Sequence, residues 1–155
     1  MDLGIKGKNA LITGGTRGLG LASLKSLSNE GVNVAFCSRS DEGLNETSKI
    51  LDKKNVKYIG IKHEIKNDIN SLNELVNNAE KNIGNIDILV NNAGTNIPEH
   101  FTKVQKKNME YLVKLNTIST FHLAQLCTLK MLETKNRKKI GGSIINMSSQ
   151  MGHVG

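Results

Sequence analysis

The chain has 155 residues, of which 37% are hydrophobic and 23% are charged, with fifteen glycines and one proline. These fractions are typical of a globular protein and exclude disordered, collagen-like and proline-rich classes. The formal net charge is +7, but the sequence has no tryptophan and only 3% aromatic residues. Nucleic-acid binders usually combine basic clusters with aromatic stacking residues, so we expect no nucleic-acid partner.

The N-terminus and the hydropathy pattern predict a cytoplasmic protein without a membrane partner. No apolar run is long enough to cross a bilayer, and the first residues lack the charged-then-apolar layout of a signal peptide. Cys37 and Cys127 are too few for a disulfide framework, and the four histidines show no metal-ligand spacing. We expect two reduced, buried thiols and no bound metal.

Short β-rich runs alternate with longer segments that carry apolar residues at helical spacing. In chain order the pattern predicts strand 8–13, helix 18–30, strand 32–37, helix 41–53, strand 56–62, helix 68–83, strand 86–90, helix 106–134 and strand 143–147. The run at 135–139 reads as a solvated loop. This alternation predicts right-handed βαβ units and a doubly wound parallel sheet of about five strands, with helices on both faces, in one α/β domain over residues 1–155.

The turn after the first strand carries a glycine cluster, Thr13-Gly14-Gly15-Thr16-Arg17-Gly18-Leu19-Gly20. Glycines between a strand and a helix allow a tight turn and a close approach of the backbone to a pyrophosphate. The helix N-terminus that follows favours an anion. No Gly-Lys-Ser/Thr follows, which excludes a nucleotide-hydrolase phosphate loop. The turn therefore predicts a dinucleotide site, the alternative being a tight turn without a ligand.

The end of the second strand indicates which dinucleotide is bound. An NAD site usually places an acidic residue about 20 residues beyond the glycines. Here residues 37–40 read Cys-Ser-Arg-Ser, and the first acid is Asp41. Arg39 suits a 2′-phosphate, Arg17 could add a second charge, and Ser38 could add a hydroxyl. We expect NADP(H) in preference to NAD(H). The alternatives are that both arginines are merely surface cations.

At this point the sequence resembles the short-chain dehydrogenases/reductases over the whole chain. The glycine cluster has that family's Thr-Gly-x-x-x-Gly-x-Gly form, and the fourth strand ends in the family's motif Asn91-Asn92-Ala93-Gly94. The resemblance implies a Rossmann-type fold in which this motif supports the sheet and lines the adenine–ribose side. It also implies that Glu64 and Ile65 hold the adenine, although the family usually has Asp where Glu64 stands.

The same resemblance implies two catalytic residues. The long helix contains Asn116, which we expect to be buried among apolar neighbours and therefore hydrogen-bonded. The family uses the matching Asn to hold a water in a proton relay. After the fifth strand, the family's second serine, here Ser149 rather than Ser148, bonds the substrate oxygen. The alternative for Asn116 is an asparagine whose hydrogen bonds only serve a kink in the helix. The alternative for Ser148 and Ser149 is that both hydroxyls only cap the end of the strand.

The family's proton donor would come from a Tyr-x-x-x-Lys pair beyond Ser149, and the chain ends at Gly155 before such a pair. Tyr111 and Lys114 are three apart and precede Asn116, so they do not match it. We therefore expect that the given chain is truncated, and the resemblance implies that on the order of a hundred further residues follow. A stop codon after residue 155 would contradict this expectation.

These observations predict an NADP(H)-dependent oxidoreductase that transfers hydride between nicotinamide and the carbonyl or secondary alcohol of a small molecule. A 3-oxoacyl thioester, a sugar or polyol, and a ketone all remain open as substrates. The resemblance also implies a homo-oligomer. The alternative is a catalytically incomplete NADP(H)-binding module or sensor.

Overall fold

The computed structural model describes residues 2–133 and 141–149. Its strands and helices follow one another in the predicted order: β1 (Asn9–Thr13), α1 (Gly18–Asn29), β2 (Asn33–Ser38), α2 (Asp41–Leu51), β3 (Tyr58–Lys62), α3 (Ile69–Ile83), β4 (Ile88–Asn91), α4 (Lys106–Val113), α5 (Thr120–Glu133) and β5 (Ser143–Asn146). A 3₁₀ turn covers Phe101–Lys103, and a π-helical segment, Lys114–Ser119, joins α4 to α5. The loop expected at 135–139 lies outside the described residues.

All five strands form one parallel sheet in the order β3-β2-β1-β4-β5. Strand β1 is central, with Leu11 opposite Ala35 of β2 on one side and Leu89 of β4 on the other. The chain first builds outward through β2 and β3, and then crosses to the opposite side for β4 and β5. Ligands of such sheets bind beyond the carboxyl ends of the strands at this change of direction.

Successive side chains of each strand point to opposite faces and enter two separate cores. Ala10 and Ile12 pack in the core that holds Leu24 of α1 and Leu51 of α2. Leu11 packs in the other core, which contains residues of α3 and α5. The helices therefore cover both faces of the sheet, and the predicted three-layer α/β/α, Rossmann-type architecture is confirmed.

The helix N-termini differ in how they are capped. The Ser40 hydroxyl accepts a hydrogen bond from the Gly43 N–H at 3.1 Å and caps α2, as a serine at that position favours. Asp68 caps α3 in the same way. Helix α1 begins after Arg17 with no side-chain cap and no acidic residue in its first turn. The first N–H groups of α1 are therefore open to a ligand anion.

The long helix predicted over 106–134 is interrupted in its middle, and residue 134 lies outside the described part. Residues Lys114–Ser119 form a π-helical segment, in which the Ser119 hydroxyl donates to the Lys114 carbonyl at 2.8 Å. Such segments widen a helix locally and are frequent at functional sites. Asn116 lies within this one.

Apolar side chains stay exposed along α4, α5 and β5, among them Val113, Phe121 and Ile145. The four residues of β5 are exposed as well.

Across residues 2–133 and 141–149, no helix has the length and apolar character that crossing a bilayer requires.

Candidate functional site

The polar residues singled out by the sequence meet at the carboxyl edge of the sheet. Strand β1 ends in Thr13, β2 in Ser38, β4 in Asn91 and β5 in Asn146. Because all strands run parallel, these ends and the turns that follow them line one edge. The candidate site is this edge, with the turn between β1 and α1 at its centre.

The glycine turn packs more tightly than side chains would allow. Gly14 and Gly18 have φ of +66° and +54°, a region that L residues rarely adopt. A Cβ on Gly20 would lie 2.3 Å from the Gly14 carbonyl oxygen and 2.4 Å from Nδ2 of Asn92. A Cβ on Gly18 would meet no atom within 4 Å. Gly20 therefore packs the turn onto β4, while Gly18 faces open space at the start of α1.

A partly buried hydrogen-bond network joins the glycine turn to the end of β4. The Thr13 hydroxyl oxygen accepts from the backbone N–H groups of Asn92 at 3.0 Å and Ala93 at 2.9 Å. The Asn92 side-chain amide donates to the carbonyl oxygens of Thr13 at 3.0 Å and Gly14 at 3.1 Å. These bonds fix the turn to β4 without using the open N-terminus of α1.

Asn91 links β4 to the elements beside it. Its Nδ2 donates to Oδ1 of Asn146 on β5 at 3.0 Å and to the Thr120 carbonyl at 3.3 Å. The side chain is buried, and its Oδ1 has no hydrogen-bond partner among the residues that the structure describes. Asn91 therefore holds β4, β5 and the start of α5 together.

At the end of β2, one hydroxyl orders the chain around the expected 2′-phosphate site. Thr16 Oγ1 donates to Ser38 Oγ at 3.1 Å, and Ser38 Oγ accepts from the Ser40 N–H at 3.2 Å. Arg39 follows directly, with 65% of its side chain exposed. Arg17 and Leu19 are also exposed, on the glycine turn and the first turn of α1.

Glu64, expected to hold adenine, contacts two cations in the structure. Lys66 Nζ lies 2.8 Å from Glu64 Oε2, and Arg39 Nη1 lies 3.7 Å from Glu64 Oε1. Lys66 first, and then Arg39, hold the pKa of the Glu64 carboxyl below its ordinary value. The neighbouring Ile65 is buried in the core shared with α3.

Asn116 lies on the other half of the site, beyond β4. Its Oδ1 accepts from the Thr95 N–H at 3.1 Å, and its Nδ2 donates to the Thr95 carbonyl at 2.8 Å. A Cβ on Gly94 would lie 3.2 Å from the same Oδ1. The expectation that Asn116 is buried is wrong, because the side chain is exposed and its partners come from the loop after β4. Both the oxygen and the nitrogen of the Asn116 amide are nevertheless hydrogen-bonded to the Thr95 backbone.

Ser148 and Ser149 lie exposed just past β5. The Met147 N–H donates to the Asn91 carbonyl at 2.9 Å, so the chain leaves β5 still paired with β4. Ser149 therefore follows the end of β5 at the same edge of the sheet as the other site residues.

Three residues that the sequence analysis did not single out contribute to this edge, namely Thr95, Asn146 and Lys66. Lys66 had a detectable signal, because a lysine two residues from Glu64 is near enough to pair with its carboxylate, and the two groups lie 2.8 Å apart. Asn146 stands opposite Asn91 across two paired strands, which only a known register reveals. Thr95 acts through its backbone, which leaves no trace in residue type.

Among the described residues near the edge, the remaining titratable side chains form no metal site. Within the described residues, no group of three or more His, Cys, Asp and Glu side chains could hold a metal ion. Cys37 and Cys127 are both free and buried, as expected. Burial raises the pKa of Cys37 to about 11 and that of Cys127 to about 12, so both thiols stay protonated.

Comparison with known proteins places this edge in a functional context. The family model described as short chain dehydrogenase matches residues 8–155. An L-rhamnose 1-dehydrogenase (NADP(+)) of Thermoplasma acidophilum is 36% identical over 157 residues, which cover 99% of this chain and 59% of that protein. A 3-oxoacyl-(acyl-carrier-protein) reductase of Aquifex aeolicus is 31% identical over 169 residues, which cover 100% of this chain and 60% of that protein.

The fold is similar to that of a blue fluorescent protein from a metagenomic library, solved in complex with NADPH. The TM-score is 0.84 at 26% identity, over 97% of this chain and 59% of that one. The chain thus spans only 59% to 60% of the length of these three proteins.

Proposed function

The chain belongs to the short-chain dehydrogenase/reductase family, and we propose that it forms the cofactor-binding part of an NADP(H)-dependent oxidoreductase. The name of the Thermoplasma relative includes NADP(+), and the metagenomic structure contains NADPH, which supports the phosphorylated cofactor. The substrate is the carbonyl or secondary alcohol of a small molecule, with 3-oxoacyl, sugar or polyol, and ketone classes as candidates. By the family resemblance, we propose a homo-oligomer, located in the cytoplasm.

The residues of the glycine turn fit a dinucleotide. The pyrophosphate would bind over Gly18, where a Cβ would meet nothing within 4 Å, and against the uncapped N–H groups of α1. The absence of acidic residues from the first turn of α1 leaves its partial positive charge without a competing carboxylate. Thr13 and Asn92 hold this turn to β4 and keep it preformed.

Arg39 carries the cofactor preference. It is exposed, directly follows β2, and stands where an NAD site would place a carboxylate. The first acid, Asp41, pairs with Lys62 and so does not face a ligand as an unpaired charge. A guanidinium can bind two phosphate oxygens at once. Ser38 and Arg17 would add a hydroxyl and a second cation on the same side.

Ser149 and Asn116 act where the nicotinamide of the cofactor meets the substrate. When bound, NADP(H) gives or takes the hydride. The Ser149 hydroxyl donates a hydrogen bond to the substrate oxygen, which gains negative charge when a carbonyl is reduced. Asn116 holds a water for proton transfer, and its amide is already oriented by the Thr95 backbone.

Calorimetry with NADP⁺ and NAD⁺ tests the cofactor assignment on the protein that carries this chain. We expect the wild type to bind NADP⁺ more tightly. Arg39→Ala should weaken NADP⁺ binding about 10- to 100-fold, the value of a charge-assisted hydrogen-bond pair, and change NAD⁺ binding much less. Lys107→Ala, which removes an exposed cation on α4, is the control. Equal affinity for both cofactors in the wild type would contradict the assignment.

Turnover tests the enzymatic part. Oxidation of NADPH by at least one of the candidate carbonyl classes, lost in Ser149→Ala, supports the oxidoreductase. Saturable NADPH binding without turnover of any of them would support the binding module or sensor instead.

A further inference from the structure

One carboxylate at the adenosine side of the site stands between two cations. Glu64 Oε2 lies 2.8 Å from Lys66 Nζ, and Glu64 Oε1 lies 3.7 Å from Arg39 Nη1. Glu64 is 42% exposed, and both cations are 65% exposed. Arg39, Glu64 and Lys66 thus form a charge triad on the surface, in which the carboxylate is nearer to the lysine than to the arginine.

The position of the carboxylate matters because Arg39 is the cation proposed for the 2′-phosphate. A phosphate that binds Arg39 comes close to the negative charge of Glu64 and is repelled by it. The guanidinium must also share its donors between two anions. Lys66 opposes both effects, because its ammonium holds one oxygen of Glu64 and offsets the carboxylate charge.

On these grounds, and resting on the proposed function, we propose that Glu64 and Lys66 determine cofactor specificity through Arg39. Glu64 weakens binding of a 2′-phosphate, and Lys66 limits that weakening by holding the Glu64 carboxylate. Neither residue needs to touch the phosphate. Both are positioning residues whose effect appears in the ratio of NADP⁺ to NAD⁺ affinity, since NAD⁺ carries no 2′-phosphate.

A double-mutant cycle measured by calorimetry tests the proposal in the intact protein. Glu64→Gln keeps the shape of the side chain and removes its charge, and Lys66→Met keeps the length of the stem and removes the ammonium. Both sites are exposed, so stability should change little. We expect Glu64→Gln to raise the ratio of NADP⁺ to NAD⁺ affinity about threefold, as one screened charge at the surface does. The adenine is common to both cofactors, so a lost adenine contact would change both affinities alike and leave this ratio unchanged.

The second arm separates an indirect role of Lys66 from a direct one. Lys66→Met should weaken NADP⁺ binding about threefold when Glu64 is present and less than about 1.5-fold in the Glu64→Gln background. All of these differences should shrink at high salt. Glu110→Gln is the matched control, because Glu110 is 46% exposed on α4 and lies 3.7 Å from Lys106 Nζ. It changes the net charge of the protein equally.

Two results would overturn the proposal. An equal loss from Lys66→Met in both backgrounds would mean that Lys66 meets the phosphate directly. A Glu64→Gln protein whose NADP⁺ to NAD⁺ ratio is no higher than that of Glu110→Gln would show that Glu64 does not oppose the phosphate. Failure of the proposed function gives a different pattern, in which the wild type shows no NADP⁺ preference and Arg39→Ala changes neither affinity.

Discussion

Replacing Gly20 by alanine would add a methyl group where α1 packs against the glycine turn. The new Cβ would lie 2.3 Å from the Gly14 carbonyl oxygen and 2.4 Å from Asn92 Nδ2, both far inside van der Waals contact. Because the Gly14 oxygen is backbone, relief requires α1 to move away from the turn. The same Cβ would crowd both partners of the 3.1 Å hydrogen bond from Asn92 to the Gly14 carbonyl and strain that bond.

Three effects set the size of the loss in stability. Overpacking costs about 2 kcal/mol, and the strained Asn92 hydrogen bond costs about 1 kcal/mol. Alanine in a helix is about 1 kcal/mol better than glycine, which offsets part of this loss. We expect Gly20→Ala to destabilise the protein by about 2 kcal/mol, or roughly 4 to 8 °C in the melting temperature for a chain of this size.

Urea unfolding followed by circular dichroism provides the measurement, and the midpoint should fall while the slope stays constant. Ala22→Gly, on an exposed face of α1, is the control. It should lose about 1 kcal/mol of stability from helix propensity alone. Glycine would then be the more stable residue at position 20, and alanine the more stable residue at position 22 of the same helix. A Gly20→Ala protein as stable as the wild type would refute the close packing of the turn.

Three further predictions concern stability and thiol chemistry. Thr13→Val removes the acceptor of two partly buried backbone N–H groups after β4 and should cost about 1 to 3 kcal/mol in urea unfolding, whereas Thr13→Ser should lose about 1 kcal/mol or less. Burial lowers the pKa of His63 below its ordinary 6.5, so the unfolded chain takes up the proton first. Stability should therefore fall as the pH drops below about 6.5, and His63→Gln should fall less over the same range; equal slopes would contradict this. Cys37 and Cys127, with pKa values raised to about 11 and about 12, should resist a thiol reagent at about pH 8 until urea unfolds the protein, and rapid labelling of the native protein would contradict their burial.

The layers of the fold were predictable because the relevant physics is local. Continuous apolar runs bounded by glycine are typical of strands buried on both faces, and helical spacing filled the intervals between them. The strand predicted over 32–37 is Asn33–Ser38, and the one over 56–62 is Tyr58–Lys62. The π-helical segment was not predictable, because apolar residues continue at similar spacing on both sides of it. Its signal is a single Ser119 hydroxyl bonded to a backbone carbonyl.

The candidate site likewise has a part that the sequence predicts and a part that it does not. Parallel strands bring their carboxyl ends to one edge, so the positions of Ser38 and Asn91 followed from the predicted topology alone. Contacts between segments distant in the chain did not follow. The proximity of Arg39 to Glu64 depends on the register of β2 against β3. The exposure of Asn116 depends on how the long helix lies against the sheet, which residue type does not determine.

The two halves of the site differ in how far substitution can change them. The turn after β1 and the end of β4 are joined by partly buried hydrogen bonds through Thr13 and Asn92, so a substitution there would alter stability together with the proposed binding. The charge triad at the ends of β2 and β3 lies at the surface, where ion pairs contribute little to folding. If the proposed function holds, cofactor preference is therefore the property that this fold can change at small cost in stability. The site proposed for the pyrophosphate, by contrast, is tied to the packing of the sheet.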